Sequence, residues 1–519
     1  MSSNATTFHT SSNATSYSMQ GNGLIVAALL LAAANFVVVL DMTVANVAVP
    51  HIAGGLAISA NEATYVITSY AVAEAITVPL TGWLSRQFGT LKTFATCVML
   101  FGLFSALCGF ANSIETLVAG RILQGLVGGP IMPLSQTMLM QIFPKEKRGS
   151  ALGLWSMTTL LAPVLGPVVG GYICDNWGWQ FIFYINIPIA IVGSITVWAL
   201  LRSFETTIFK DKIDYVGLIL LAVWVAALQL MLDKGKSYDW FESGLIWVFL
   251  IAAIIGFISF MIWEFTHERP IVDMRVFRHR GYCASVLSIS FAFGAYFGSV
   301  VLTPLWLQTY MGYTAVESGF TTAATGVLAL IAAPFAAKYS QKFDPRILVF
   351  GGVLWLGAFT YVRAFGTTDM TYAQIAIPML IQGIGLPFFF IPLTGLALAS
   401  VDADETASAA GLMSFMRTLS GAFATSIVTT AWDNKANEFR SDLVGRVASP
   451  EQIAVSLGDT SSAGQNVALY ILDQNVQSQA IMLATNQIFL MVACTFVLAA
   501  LTIWLAPKPS RRADTSDAH

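Results

Sequence analysis

The sequence predicts an all-α membrane protein of fourteen transmembrane helices. Three observations carry this. Of the 519 residues, 56% are hydrophobic and only 11% charged, against about 25% charged in soluble proteins. That apolar surface exceeds what a core can absorb, so lipid must cover part of it. The chain also divides into apolar windows of about 20 residues, the length that crosses a bilayer. Finally, the basic residues between windows alternate in density, as they do when successive loops face opposite sides.

In chain order the windows are 23–49, 62–84, 92–111, 114–140, 150–173, 180–201 and 214–232. They continue as 243–264, 283–309, 317–337, 346–366, 372–399, 406–431 and 480–506. The longer ones predict tilted crossings. With residue 1 placed inside, eighteen of the 26 Lys and Arg residues fall in inside segments. Six fall outside: Lys234, Lys236, Arg363, Lys435, Arg440 and Arg446. Arg121 and Arg417 lie within helices. This bias predicts both termini in the cytoplasm, and a missed span would scramble it.

The segments that do not span are equally readable. Residues 1–22 form a Ser/Thr/Asn-rich tail in which Ser2–Thr6 repeats as Ser11–Thr15. It lacks the basic start and short apolar core of a signal peptide, so it reads as a disordered cytoplasmic tail. Its Asn-Ala-Thr triplets carry no glycosylation prediction on that side. Residues 507–519 form a second cytoplasmic tail. Residues 432–479 are the longest hydrophilic connection and face outward. The net charge of -3 gives no reason to expect nucleic acid. The five cysteines, Cys97, Cys108, Cys174, Cys283 and Cys494, are scattered and read as apolar fillers, with no metal or disulfide spacing.

The two halves repeat. Gln124-Gly125 recurs as Gln382-Gly383, and Ser150-Ala151, Gly153-Leu154 and Ser156 recur as Ser408-Ala409, Gly411-Leu412 and Ser414, all at an offset of 258. Pro79, Ser85 and Phe88 recur as Pro334, Ser340 and Phe343, at an offset of 255. Parallel repeats of this kind place a substrate path between two half-bundles. The predicted division is a six-helix bundle over 23–202, two extra helices with linkers over 203–282, and a second six-helix bundle over 283–506.

Four motifs within these blocks resemble the major facilitator superfamily, in particular its fourteen-helix drug:proton antiporter branch (DHA2) and EmrB-type export permeases. Leu40–Pro50 resembles the first-helix motif of that branch. Gly82–Gly89 lies in the loop after helix 2, where the family gating motif sits, with Gly82, Arg86 and Gly89 as its gating residues. Arg121–Gly125 resembles the fourth-helix motif, and the stretch from Ala162 to Gly171 the fifth-helix antiporter motif, with Pro163, Gly166, Pro167 and Gly170 between. Two positions depart from the pattern. Arg86 stands where the gating motif has Asp, which removes its usual helix-capping ion pair. Ala162 replaces the first Gly of the antiporter motif.

Ionisable groups inside a bilayer are functional candidates by default. Asp41, past the middle of helix 1, can load and release a proton, or staple helix 1 to a neighbour. Glu74 shares a helix face with Tyr70, Thr77 and Thr81, which suits a proton relay, a cationic substrate site or a structural contact. Arg121 stays charged and cannot itself carry the proton; the resemblance assigns it to coupling. Arg417 stands where the repeat has Thr159, and either contacts substrate or a carboxylate in the cavity or forms a structural pair. Ala162, Gly166 and Gly170 make a small-residue face that allows close helix approach. The two prolines favour a bend. Such a helix can seal a pathway at the domain interface or pack like any other.

A drug cavity needs a wide aromatic lining with few polar anchors. Trp155, Phe388, Phe389, Phe390 and Phe415 are the expected lining, and Asn46, Gln124 and Gln136 the anchors. The acidic cluster Asp402–Glu405 can pair with its first-half counterpart Lys145–Arg148, or lie solvated. His51 and His279 read as surface residues.

The resemblance implies a proton-coupled antiporter that exports hydrophobic drugs across a bacterial inner membrane as the permease of a tripartite pump. It implies an EmrA-type periplasmic adaptor docked on 432–479 and a TolC-type outer-membrane channel, with the proton gradient in place of a cofactor. The alternative is a transporter of the same fold acting alone on a siderophore or metabolite; the antiporter-like helix 5 argues against it. A membrane enzyme or receptor is the third class. The sequence shows no nucleophile, metal or P-loop motif for one.

Overall fold

The computed structural model describes residues 22–144, 147–208, 214–268, 270–402, 404–445 and 462–508. The N-terminal tail, the basic residues Lys145, Lys210, Lys212, Arg269, Arg446, Arg511 and Arg512, and the stretch 446–461 lie outside the described residues.

All fourteen apolar windows fall on helices, and no strand occurs among the described residues. Hydrocarbon offers the backbone no hydrogen-bond partners, so each crossing must satisfy its own peptide groups. Among the described residues, eleven helical segments are long and apolar enough to cross a membrane. The other three windows coincide with the broken helix at 65–88, with Arg148–Asn176 and with Thr406–Val444.

The first half comprises α1 (Asn22–Leu56), α2 (Ala60–Ala63), α3 (Tyr65–Thr77), α4 (Thr81–Phe88), α5 (Thr90–Gly109), α6 (Ile114–Gly128), α7 (Ile131–Ile142), α8 (Arg148–Asn176), α9 (Phe181–Tyr184) and α10 (Asn186–Leu201). Pro79 sits in a 3₁₀ turn, Val78–Leu80, between α3 and α4, and Pro130 precedes α7. A proline removes a backbone donor and so marks a break. The second half comprises α13 (Arg280–Tyr310), α14 (Ala315–Tyr339), α15 (Pro345–Arg363), α16 (Tyr372–Gln382), α17 (Gly385–Ala399), α18 (Thr406–Val444) and α19 (Ser462–Thr502).

The extra pair, α11 (Tyr215–Lys234) and α12 (Gly244–Thr266), packs together along one side of the seam between the halves. Thr68 of α3 donates to Asp233 at 2.7 Å, and Ser426 of α18 donates to the Leu232 carbonyl at 2.9 Å. So α11 touches both halves. On the other side of the seam, α8 packs against α14.

The expected outward loop is largely helix. α18 has 39 residues and α19 has 41, about 60 Å each at ~1.5 Å per residue. This is roughly twice the ~30 Å hydrocarbon layer. The two helices run antiparallel and are linked by Trp432 donating to Thr485 at 2.9 Å and Arg440 pairing with Asp473 at 2.7 Å. Hydrophilic composition suggests a loop, but it also suits a solvated helix with local pairs such as Lys435–Glu438 at 2.6 Å.

Candidate functional site

Two polar constellations lie at membrane depth. The first is internal to the first half. Arg121 Nη1 donates to Asp41 Oδ2 at 2.6 Å, with both side chains 1% exposed. Gln124 Nε2 donates to Asp41 Oδ1 at 3.1 Å, and Asn186 Nδ2 donates to the same oxygen at 2.7 Å. Arg121 also reaches Gln124 Oε1 at 2.8 Å and the Val66 carbonyl at 3.1 Å, and its guanidinium lies 4.2 Å from the Tyr70 ring centroid. Asn186 continues to Ser105 at 3.0 Å. The network therefore joins α1, α3, α5, α6 and α10. An acceptor-only carboxylate is matched to three donors here. Gln124, expected as a substrate anchor, is committed to this network instead. Asn186 and Ser105 were not singled out by the sequence, because neutral polar residues in apolar windows are common.

The second constellation lies on the seam. Glu74 of α3 is buried, and its Oε2 has no partner among the described residues. Arg417 of α18 is buried against Met132 of α7, with the rings of Phe293 and Phe390 at 5.2 and 5.7 Å. Its Nη1 has no partner among the described residues. Gln136 of α7 is fully buried, and among the described residues neither its amide nitrogen nor its oxygen is paired. Ser414 and Thr394 each bury an unpaired hydroxyl. Trp155 of α8 stacks on Phe390 of α17 at 6.0 Å with an interplanar angle of 9°, and its indole N–H donates to Ser135 at 2.8 Å. Arg417 and Trp155 thus both lie against Phe390, and Gln136 is one turn along α7 from the Met132 that touches Arg417.

Other expected residues sit elsewhere. Phe389 is buried in the second half, its backbone nitrogen against Gly352 of α15; its neighbour Phe390 reaches the seam. Phe415 turns away and packs edge-on to Trp224 at 5.7 Å. There it lines an apolar cavity of about 580 Å³ with Pro79, Phe257, Leu412 and Met416, beneath the extra pair. Asn46 is exposed. Phe388 lies beside Tyr339 at the α8–α14 contact.

The small-residue face of α8 packs within its own half. A Cβ at Gly166 would overlap Thr43 of α1, and one at Gly170 would meet Val44 at 3.0 Å. Ala162 accepts from Thr43 at 3.4 Å through its carbonyl, and Gly171 faces open space. The side chains of Pro163 and Pro167 lie outside the described residues, and α8 is continuous through both. The seam instead uses the N-terminal end of α8. A Cβ at Gly149 would lie 3.1 Å from Ser340, and one at Gly153 would lie 3.1 Å from Ala337.

Also at the seam, Gly82 abuts Ser408 of α18, and Arg86 donates to Ser408 at 3.2 Å. Arg86 also lies 3.6 Å from Asp273. Gly89 has φ +91°, a conformation that favours glycine. It lets Glu205 cap α5 through the backbone N–H groups of Leu91 and Lys92, at 3.0 and 2.9 Å. A carboxylate from outside the motif so occupies the helix N-terminus. Asp402 and Glu405 pair with Arg278 at 2.9 and 2.8 Å, and Glu405 with His279 at 3.0 Å. Arg278 and His279, which hold them here, lie in the linker before α13. His279 is partly buried there, while His51 is exposed beside Asp175 at 3.1 Å.

Arg363, read as an outside loop residue, is buried. It donates to Ser299 at 2.9 Å and to Thr303, and lies 4.2 Å from the Phe489 ring centroid. The repeat offers the missed signal. At the offset of 258, Ser105 maps onto Arg363 and Asp41 onto Ser299.

The Major Facilitator Superfamily family model matches residues 31–425. The chain is 40% identical over 501 residues to the Multidrug export protein EmrB of Haemophilus influenzae, covering 95% of this chain and 97% of that one. It is 38% identical over 496 residues to the Fatty acid resistance protein FarB of Neisseria gonorrhoeae, with the same coverage. Among solved structures, the proton:xylose symporter XylE superposes with a TM-score of 0.60 at 14% identity, over 93% of this chain and 96% of that chain.

Proposed function

This chain belongs to the major facilitator superfamily, and from that premise we propose that it exports hydrophobic, drug-like molecules in exchange for protons. Its relatives are named for multidrug export and fatty acid resistance. The observation that carries the reading is the seam itself: Glu74, Gln136 and Arg417 bury unpaired polar atoms between aromatic walls. Buried polar groups without partners are costly, and a cargo that rocks between the halves supplies partners.

Glu74 is the proton carrier in this reading. One of its oxygens is free at the seam, whereas Asp41 is matched on every side. The Asp41–Arg121 pair positions α3, because Arg121 holds the Val66 carbonyl and lies over Tyr70, one turn before Glu74. The contacts at Gly82, Gly149 and Gly153 close the path on the inside in this reading.

The membrane is the bacterial inner membrane, with both termini cytoplasmic. The paired extensions of α18 and α19 then reach into the periplasm, where they offer an EmrA-type adaptor a surface that leads to a TolC-type channel. Everted vesicles test the exporter reading. Cargo should accumulate when a proton gradient is imposed and stop when it is collapsed; accumulation indifferent to the gradient overturns it.

A further inference from the structure

Two opposite charges share the seam without sharing a bond. Glu74 comes from the first half and Arg417 from the second, both are buried, and each keeps an unpaired atom. Among the described residues, Gln136, one turn along α7 from the Met132 that touches Arg417, has an unused donor and an unused acceptor, and Ser414, three residues before Arg417 on α18, an unused hydroxyl. A site meant for a purely apolar molecule has no use for these groups. A site meant for one charge has no use for both.

We infer that the cargo of this site is an amphoteric aromatic compound. Its basic nitrogen is taken by Glu74, its acidic group by Arg417 and Gln136, and its planar body lies against the aromatic wall of Trp155, Phe390 and Phe293. This rests on the exporter reading above and specifies its cargo class.

The sign of coupling selects the class. Linkage is reciprocal, so exchange requires that proton and cargo weaken each other's binding. A basic group on Glu74 competes directly with a proton for the same carboxylate. An acidic group alone does the opposite. It occupies Arg417, removes the cation that offsets the Glu74 charge, and so favours a proton on Glu74; proton and cargo then travel together. The other charged or titratable groups around Glu74 are Tyr70 on its own helix, Asp41 on α1 and Arg121 on α6. Asp41 and Arg121 bond to each other, which leaves Arg417 as the charge free to change partner.

The test uses the full chain in lipid nanodiscs and four analogues on one bicyclic aromatic scaffold. They carry amine and carboxylate, amine and methyl ester, carboxylate alone, or neither. Binding and proton release to a pH dye are measured for each. The amphoteric analogue should bind at least about tenfold tighter than the other three, and only the two amines should release a proton. Arg417→Gln should erase the advantage of the carboxylate. Glu74→Gln should erase the advantage of the amine and the proton release. The analogue series on the unaltered chain decides the question even where a variant fails to fold. An affinity order blind to the charge pattern, or proton release by the carboxylate-only analogue, overturns the inference. If all four analogues move equally with a proton gradient in vesicles, the exporter reading stands and the cargo class falls. If nothing moves with the gradient, both fall.

Discussion

Asp41 and Ser299 occupy equivalent positions in the two halves, 258 residues apart, and they treat a buried guanidinium differently. Asp41 gives Arg121 a counter-ion at 2.6 Å. Ser299 gives Arg363 only a hydroxyl, at 2.9 Å, and the other side-chain partners of Arg363, Thr303 and Gln382, are neutral too. The repeat has kept a polar knot at the same depth and placed the carboxylate in the first half alone. Arg363 is also the last residue of α15, where the helix dipole favours a cation. The paired carboxylate therefore lies in the half that also carries Glu74.

Replacing Asp41 with Asn should abolish cargo-driven proton release while the protein still inserts. The amide presents an N–H group where the carboxylate met three donors, and Arg121 loses its counter-ion. Proton release from purified protein on addition of cargo measures this. Unaltered release would remove Asp41 from the coupling machinery.

The two arginines should differ in what their loss costs. Arg121→Met strands a buried carboxylate, a change worth about 3–5 kcal/mol. Arg363→Met leaves hydroxyls and an amide unpaired, worth about 1–3 kcal/mol. Thermal unfolding in a single detergent should therefore rank Arg121→Met well below Arg363→Met. The reverse order would mean that the Asp41 charge is compensated by something other than Arg121.

The architecture was legible because burial in lipid imposes length and apolarity on every crossing. Asp41, Glu74, Arg121 and Arg417 were legible for the same reason, since a charge in such a window stands out. Facing was harder to read. Phe388, Phe389 and Phe390 are consecutive, about 100° apart around a helix, and no pattern in one sequence says which of them meets Trp155. The glycine face of α8 was visible, but small residues announce close approach without naming the neighbour, which proved to be α1. Arg363 lies near the end of its window, where a basic residue reads as a loop charge. Only the repeat offset to Ser105 separates it from Arg440, a solvated one.

The inside seam offers a direct handle on the transport cycle. Gly82 has no room for a Cβ beside Ser408, so Gly82→Val should keep the inside end from closing. The measurement is labelling of Ser340→Cys by a membrane-impermeant thiol reagent from the inside. Labelling should rise in Gly82→Val, and efflux should fall by at least about tenfold. Gly166→Leu provides the contrast. Its clash is with Thr43 inside the first half, so it should lower thermal stability, by about 1–3 kcal/mol for overpacking, without raising that labelling. Equal labelling in all three proteins would remove the gate from this end.

The paired ends of α18 and α19 carry a separate prediction. Val444, Val467 and Tyr470 are 62%, 53% and 67% exposed. They lie on helices that continue beyond the hydrocarbon layer, where lipid does not explain apolar exposure. Exposed substitutions usually change stability by less than about 0.5 kcal/mol, so replacing all three with Ser should leave the fold and the proton-driven uptake of everted vesicles intact. Efflux from whole cells, and capture of a periplasmic adaptor, should both fall by at least about tenfold. The Arg440–Asp473 pair is the control. Exposed pairs contribute about 0–1 kcal/mol, so Arg440→Gln should change neither measurement. If the triple variant captures adaptor as well as the unaltered chain does, the extension is not the docking surface proposed for it.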